Sequence, residues 1–378
     1  MNRVLVFMFL SCVVWVPSLA LASGPEAKPA IEPQGWTSGG KEAPVTAKDF
    51  VPSIGDEEAY IERYTVSMDL DGGGWIGAYF TISNLGLGNG HGAARIKIKL
   101  PEREDKGTYT YFKKVSRSDW SYKEDTLDLS IAGMKLKAKD NGEGFTLNFE
   151  EPDGSVKVEI DVTNDLPMWQ PGRGRIDVAD GGYLIYGLLT PRGSLKGRVF
   201  IDGKWRDIAG TKSVFADHSS TNVAPFDLGS HFAHFRTYKD DVMVAWRSLK
   251  LSDRYGGKTF TWMMVGYKDK IVFSDADAVL KTGDTKHDGS TGYTIPYSVQ
   301  IEGKQGGKDK VKLILRSQKM WREDLLERYG AAAKLVAGAV SKPYRYEFKS
   351  KFAAMLEIGG AKAKVGGKSR YYFDFMNP

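Results

Sequence analysis

The chain has 378 residues, with 53 Lys and Arg against 47 Asp and Glu and a formal net charge of +6. That length is enough for one or two full hydrophobic cores. The bases are spread along the chain rather than gathered, which argues against a nucleic-acid patch and leaves a loose peripheral attraction to anionic headgroups.

The N-terminus reads as a leader. Arg3 supplies a positive start, Val4 to Val16 is almost unbroken apolar sequence, and Ala20-Leu21-Ala22 offers a small-residue cleavage site before Ser23. Residues 1–22 are expected to be a secretory signal peptide, too short to span a bilayer and followed by no stop-transfer pattern. A lipoprotein signal ending at Cys12 would leave a very short apolar region. Cys12 is the single cysteine, so the mature chain is expected to carry no disulfide, thiolate nucleophile or Cys-ligated metal. The mature protein is expected in the periplasm or outside the cell. Residues 23–54 are rich in Pro, Gly, Ala and charge without an apolar period. They are expected to form a flexible linker, with Trp36 able to dock on the body.

From Tyr60 onward the hydrophobic period is two. Ile96, Ile98 and Leu100 alternate with Arg95, Lys97 and Lys99, and Met134, Leu136 and Ala138 alternate with lysines. Val158, Ile160 and Val162 repeat the pattern against Lys157, Glu159 and Asp161. Strands buried on one face and wet on the other belong to antiparallel sheet. Turns such as Asp140-Asn141-Gly142 recur about every ten residues, a spacing that fits a meander or barrel. The pattern resumes after Tyr238 in Val242/Val244/Trp246, Phe260/Trp262/Met264 and Val311/Leu313/Leu315. The expected fold class is all-β, with an N-terminal domain over 55–209 and a C-terminal domain over 210–378. One helix is expected in the second domain, because Leu325, Tyr329, Ala332, Val336 and Val340 share one helical face and Pro343 ends it.

Two glycine-rich stretches fail as phosphate loops. Ser83 to Gly92 is followed by the strand Arg95–Leu100, where a dinucleotide fold needs a helix, and reads as a hairpin loop. Gly366-Gly367-Lys368-Ser369 has Lys362 where a P-loop needs glycine.

Candidate chemistry concentrates at the seam between the halves, Gly203–Tyr238. Asp217 and His218 form a candidate acid/base pair, if a bend lets adjacent strand residues cooperate; the alternative is a turn capping its own backbone. His231 and His234 should point to opposite faces of a strand, which disfavours a metal site and leaves one of them to face a ligand. Tryptophans, among them Trp169 and Trp246, and Met263-Met264 suit either a filled core or an apolar cavity.

Three stretches carry a resemblance: Pro167-Met168-Trp169-Gln170-Pro171-Gly172-Arg173-Gly174, the run from Tyr183 through Thr190-Pro191-Arg192-Gly193 to Asp217-His218, and Leu335 to Tyr344. Together they resemble the two-domain lipocalin-like family that unites survival-factor lipocalins with hydroxyneurosporene synthase and its relatives. The resemblance implies two lipocalin-like β-barrels packed side by side and a ligand held in or between them. It also implies either lipid carriage or, in the enzymatic branch, hydration or cyclisation of a polyene with Asp217 as general acid and His218 beside it. In those enzymes Trp-Gly commonly follows the pair, whereas Ser219-Ser220-Thr221 follows here, which favours binding. The resulting expectation is an exported protein for a long apolar lipid or isoprenoid, with Trp169, Tyr186, His231, His234 and Trp246 lining the ligand and no metal or cofactor required.

Overall fold

The computed structural model describes residues 33, 35–37, 39–40, 44–85, 89–327, 338 and 341–377. The leader lies outside them, and so does nearly all of the segment expected to form a helix. The first sheet contains β1 (Gly39–Gly40), β2 (Ile61–Asp69), β3 (Trp75–Ser83), β4 (His91–Lys99), β5 (Tyr109–Val115), β6 (Trp120–Tyr122) and β7 (Asp128–Ile131). It continues with β8 (Met134–Ala138), β9 (Gly144–Glu150), β10 (Lys157–Asn164), β11 (Gly174–Asp177), β12 (Tyr183–Ile201) and β13 (Lys204–Thr221). The second sheet contains β14 (Gly229–Lys239), β15 (Val242–Leu251), β16 (Thr259–Tyr267), β17 (Lys270–Asp275), β18 (Val279–Asp288), β19 (Tyr293–Gln305), β20 (Asp309–Asp324), β21 (Tyr344–Ile358) and β22 (Ala361–Phe375).

Every pairing is antiparallel. The first sheet runs β5-β4-β3-β2-β13-β12-β10-β9-β8-β7-β6, with β11 beside β12 and β1 beside β11. It curls so that its ends approach: the Tyr111 hydroxyl on β5 donates to the Ala132 carbonyl beyond β7 at 3.1 Å. The second runs β17-β16-β15-β14-β22-β21-β20-β19-β18. Its ends are drawn together where Lys304 N–H donates to Asp275 (2.7 Å) and Ser274 N–H to Gln305 (2.8 Å). The all-β architecture is the one the alternation called for, and the two lipocalin-like barrels are those the family resemblance implied.

The alternation does the folding work as expected. Ile96, Ile98, Met134, Leu136, Val158, Ile160 and Val162 enter one core, and Val244, Trp246, Val311, Leu313 and Leu315 enter the second. Each fully buried aliphatic side chain contributes about 1.5–3 kcal/mol against the entropy of ordering the chain. β15 and β16 are buried on both faces, one inside their own barrel and one against the other barrel. A third apolar cluster therefore lies between the barrels, built from Trp36, Trp169, Tyr186, Met243, Trp262 and Met264 among others.

Two boundaries differ from the expectation. The switch between sheets falls between Thr221 and Gly229, across the single helical turn α1 (Pro225–Leu228), and not at 209/210. Residues 210–221 complete β13 and pair with β2 through Thr221↔Ile61. The second difference concerns the linker, which is docked at several points. Trp36 is only 2% exposed, Gly39 and Gly40 pair with β11, and Phe50 enters the first core. Composition conveyed the lack of a period in this stretch but not its two aromatic anchors. The Pro167–Gly174 stretch holds it, since Arg173 N–H donates to the Trp36 carbonyl at 2.8 Å. Gly172 is required there: at φ +52 its missing Cβ leaves room for the Trp36 carbonyl oxygen.

Candidate binding site within and between the barrels

β13 is extended through the Asp217-His218 pair, so the two side chains leave on opposite faces. His218 points into the first barrel and is 3% exposed. It lies opposite Tyr64 on β2, with Ser220 opposite Glu62. His218 Nε2 meets Glu62 Oε1 at 2.6 Å. Glu62, fully buried, also accepts from the hydroxyls of Tyr60 (2.5 Å) and Tyr64 (2.9 Å) and from Ser53 N–H (3.0 Å). Burial, followed by the Glu62 charge, holds both phenols well above their ordinary range. The partner of His218 is therefore Glu62, which sequence proximity had hidden. The parity of β2 could have found it, since Tyr60, Tyr64, Val66 and Met68 all point inward.

Asp217 faces the seam between the barrels. Its Oδ2 accepts from the Tyr186 hydroxyl at 3.2 Å and lies 3.6 Å from Arg247 Nη1, whose guanidinium covers the Tyr186 ring at 4.5 Å. An acceptor engaged this way, on the far side of a strand from His218, forms no acid/base pair with it. The arrangement corrects the sequence-level pairing, because a bend was needed and β13 does not bend there.

The same seam receives Trp169 and Tyr186. Trp169 is bridged to Leu188 through both backbone groups (3.1 and 2.7 Å), and its indole N–H donates to Ser274 at 3.1 Å. Its ring meets Trp262 edge-on at 4.9 Å, and Tyr186 stacks on Trp262 at 5.6 Å, with Trp36 6.2 Å from Tyr186. The indole N–H groups of Trp36 and Trp262 are buried without an acceptor. His234 lies on this side too, stacked on Tyr372 at 4.8 Å. Next to it Arg345 grips Asp374 through two bonds, 2.7 and 2.8 Å. Burial would raise the Asp374 carboxyl, but the Arg345 charge overrides it and holds the group below its ordinary value.

His231 and Trp246 occupy the interior of the second barrel instead. His231 sits among Phe373 and Phe375 at 5.7 and 5.5 Å, and Trp246 is 1% exposed with its indole N–H unpaired. The five expected ligand residues thus divide into a seam set (Trp169, Tyr186, His234) and a barrel set (His231, Trp246). His231 and His234 face opposite ways and cannot share a metal ion. Trp36, Trp262, Arg247, Arg345 and Asp374 belong to the seam and were not among the expected residues. Only the inward parity of Tyr371, Phe373 and Phe375 could have placed Asp374 on the outer face of β22. An open surface groove of about 410 Å³, lined by Asn148, Glu159, Lys196 and neighbours, contains none of these residues.

The two histidines make stability depend on pH. Burial, with Lys250 nearby, lowers His231 to about 4; burial, only partly opposed by Asp374, lowers His234 to about 3. An unfolded histidine takes its proton near 6.5. Between those values the unfolded chain binds more protons, so stability falls as pH drops from about 6.5 towards 4 and 3. His231→Phe, which suits the phenylalanine surroundings, is expected to flatten that fall by one proton. Urea midpoints measured from pH 7 to 4 would show it, and an unchanged slope would refute the assignment.

Two antiparallel barrels joined by a buried aromatic seam define a lipocalin-like two-barrel protein. The Svf1 family model matches residues 46–372, and the chain belongs to the Svf1 family. It is similar to the ceramide-binding protein SVF1 of Yarrowia lipolytica (strain CLIB 122 / E 150), 25% identical over 195 residues, 47% of this chain and 48% of that protein. The match spans about half the length of that relative. Among solved structures, kievitone hydratase from Nectria haematococca aligns with a TM-score of 0.50 at 14% identity, covering 92% of this chain and 98% of that one. An AttH candidate from Nitrosomonas europaea aligns at 0.50 and 11% identity, covering 84% and 92%. At such identities the likeness is one of fold.

Proposed function

We propose that this protein binds a long-chain lipid of the ceramide class, exported by its leader to the periplasm or beyond. The observation that carries the reading is the seam, an apolar surface of Trp36, Trp169, Tyr186, Met243, Trp262 and Met264 with two buried indole N–H donors left unpaired. An unpaired buried donor costs about 1–3 kcal/mol, and a ligand carbonyl or hydroxyl would relieve it. A ceramide offers an amide and hydroxyls at one end and long chains at the other, and each methylene buried adds about 0.8 kcal/mol. Tyr186, Asp217 and Arg247 would engage the polar end. The ceramide-binding relative supports the lipid class, and the split of Asp217 from His218 weighs against a hydratase using that pair. Native mass spectrometry of the protein purified from its own cells, with lipid extraction, tests the reading. A stoichiometric long-chain amide lipid on a chain beginning at Ser23 is expected. An apo mass that stays unchanged after incubation with ceramides would sink it.

A further inference from the structure

β12 and β13 break register three times between Leu188 and Leu195. Gly193 faces Val214 while Leu195 faces Gly210, so Thr211, Lys212 and Ser213 have no register partner on β12, and Lys212 N–H donates to the Ser194 hydroxyl at 2.9 Å. Lys212 is held at φ +54, which side-chain-bearing residues seldom adopt. Bulges of this kind re-aim side chains, and Arg192 itself lies in the break between Thr190 and Gly193 on β12. Arg192 is 2% exposed, yet one of its nitrogens donates to the Lys268 carbonyl of the second barrel while Nε and Nη1 are buried with no acceptor. Among the described residues no carboxylate pairs with it. Asp241, the nearby acid, is taken by Lys212 Nζ at 2.8 Å and by the Tyr238 hydroxyl at 2.9 Å. The Tyr238 ring covers both cations, 4.7 Å from the Arg192 guanidinium and 5.7 Å from Lys212 Nζ.

A buried guanidinium whose Nε and Nη1 have no acceptor is a charge waiting for a counter-ion, because burial without one is costly and an oxyanion offers several oxygens to its spread of N–H donors. We propose that Arg192, assisted by Lys212, binds a phosphate-type oxyanion beneath the Tyr238 hairpin, at the junction of the barrels and apart from the aromatic seam. The phosphate of a lipid headgroup and free phosphate offer the same chemistry. The site does not depend on the ceramide reading, and either can fail without the other.

The test uses the mature chain and compares thermal midpoints in sodium chloride and sodium phosphate at matched ionic strength. Parallel samples contain a short-chain phosphatidic acid or the corresponding diacylglycerol. A midpoint raised by phosphate identifies the free ion, and one raised only by phosphatidic acid identifies a headgroup. Arg192→Met is expected to abolish the rise while remaining at least as stable as the parent in chloride, since it removes an unpaired buried charge. Lys212→Gln, at a half-buried position, is expected to weaken the apparent phosphate affinity about tenfold with little change in chloride, about 1.4 kcal/mol by the affinity relation. The proposal is overturned if neither phosphate source moves the midpoint, or if the rise survives in both variants. It is also overturned if Arg192→Met is destabilised in chloride while phosphate still protects Lys212→Gln fully.

Discussion

Replacing Glu62 with leucine is expected to destabilise the protein strongly, because each buried donor left without its acceptor costs about 1–3 kcal/mol. Glu62 collects four donors: Tyr60, Tyr64, His218 and the Ser53 amide. In the leucine variant Tyr60, Tyr64 and His218 lose their common acceptor inside the barrel, where a lost hydrogen bond is not readily replaced, while the amide of the exposed Ser53 is released to solvent. The effect should extend beyond the barrel. Ser53 belongs to the docked arm, and the single Tyr64 hydroxyl proton is shared between Glu62 and the Phe50 carbonyl, each 2.9 Å away, while the Phe50 ring meets His218 edge-on at 5.9 Å. Loss of Glu62 should therefore loosen the arm, and the Ser53 amide should exchange hydrogen faster than in the parent. Adding His218→Phe to Glu62→Leu should recover part of the loss, because the histidine would no longer be left without its partner. Urea unfolding of both single variants and the double variant gives the coupling. Additive losses with an unchanged Ser53 exchange rate would show that the cluster does not act as one unit.

Trp262 separates packing from ligand recognition. Trp262→Ala empties the centre of the seam, where the ring touches Trp169 and Tyr186, and is expected to cost about 3–5 kcal/mol. Each barrel has a core of its own, so weakening the seam should let them melt in two calorimetric steps where the parent melts in one. Trp262→Phe keeps a buried six-membered ring and removes the idle N–H together with the rest of the five-membered ring, a smaller packing loss than in the alanine variant. Its stability should lie between those of the parent and the alanine variant, while ceramide affinity should fall by about tenfold to a hundredfold, the worth of one buried hydrogen bond. Equal affinity in parent and phenylalanine variant would remove the seam from the ligand site while leaving its structural role intact. A single melting step in the alanine variant would mean that the barrels are coupled mainly elsewhere.

The alternation of apolar and charged residues was sufficient to define the fold class. Side chains of a strand alternate between faces, so Arg95–Leu100, Met134–Ala138 and Val158–Val162 each declared one wet and one buried face before any partner was known. The same rule stated that His231 and His234 must part company. It could not say which histidine entered the barrel and which the seam, because both faces of β14 are covered and only the packing of the second sheet distinguishes them. Local sequence also could not pair Glu62 with His218, which are brought together by the register of β2 on β13. Nor could it pair Arg345 with Asp374 or Asp217 with Arg247, contacts made across strands and across the seam. The docking of the arm was hidden for a related reason: Trp36 is held by a surface that exists only once both barrels are formed, and Phe50 by the assembled core of the first. Periodicity is a property of each strand alone and is written in the sequence. Register, the packing of one barrel on the other and the fate of each buried charge depend on residues far apart in the chain, and those only the tertiary structure decided.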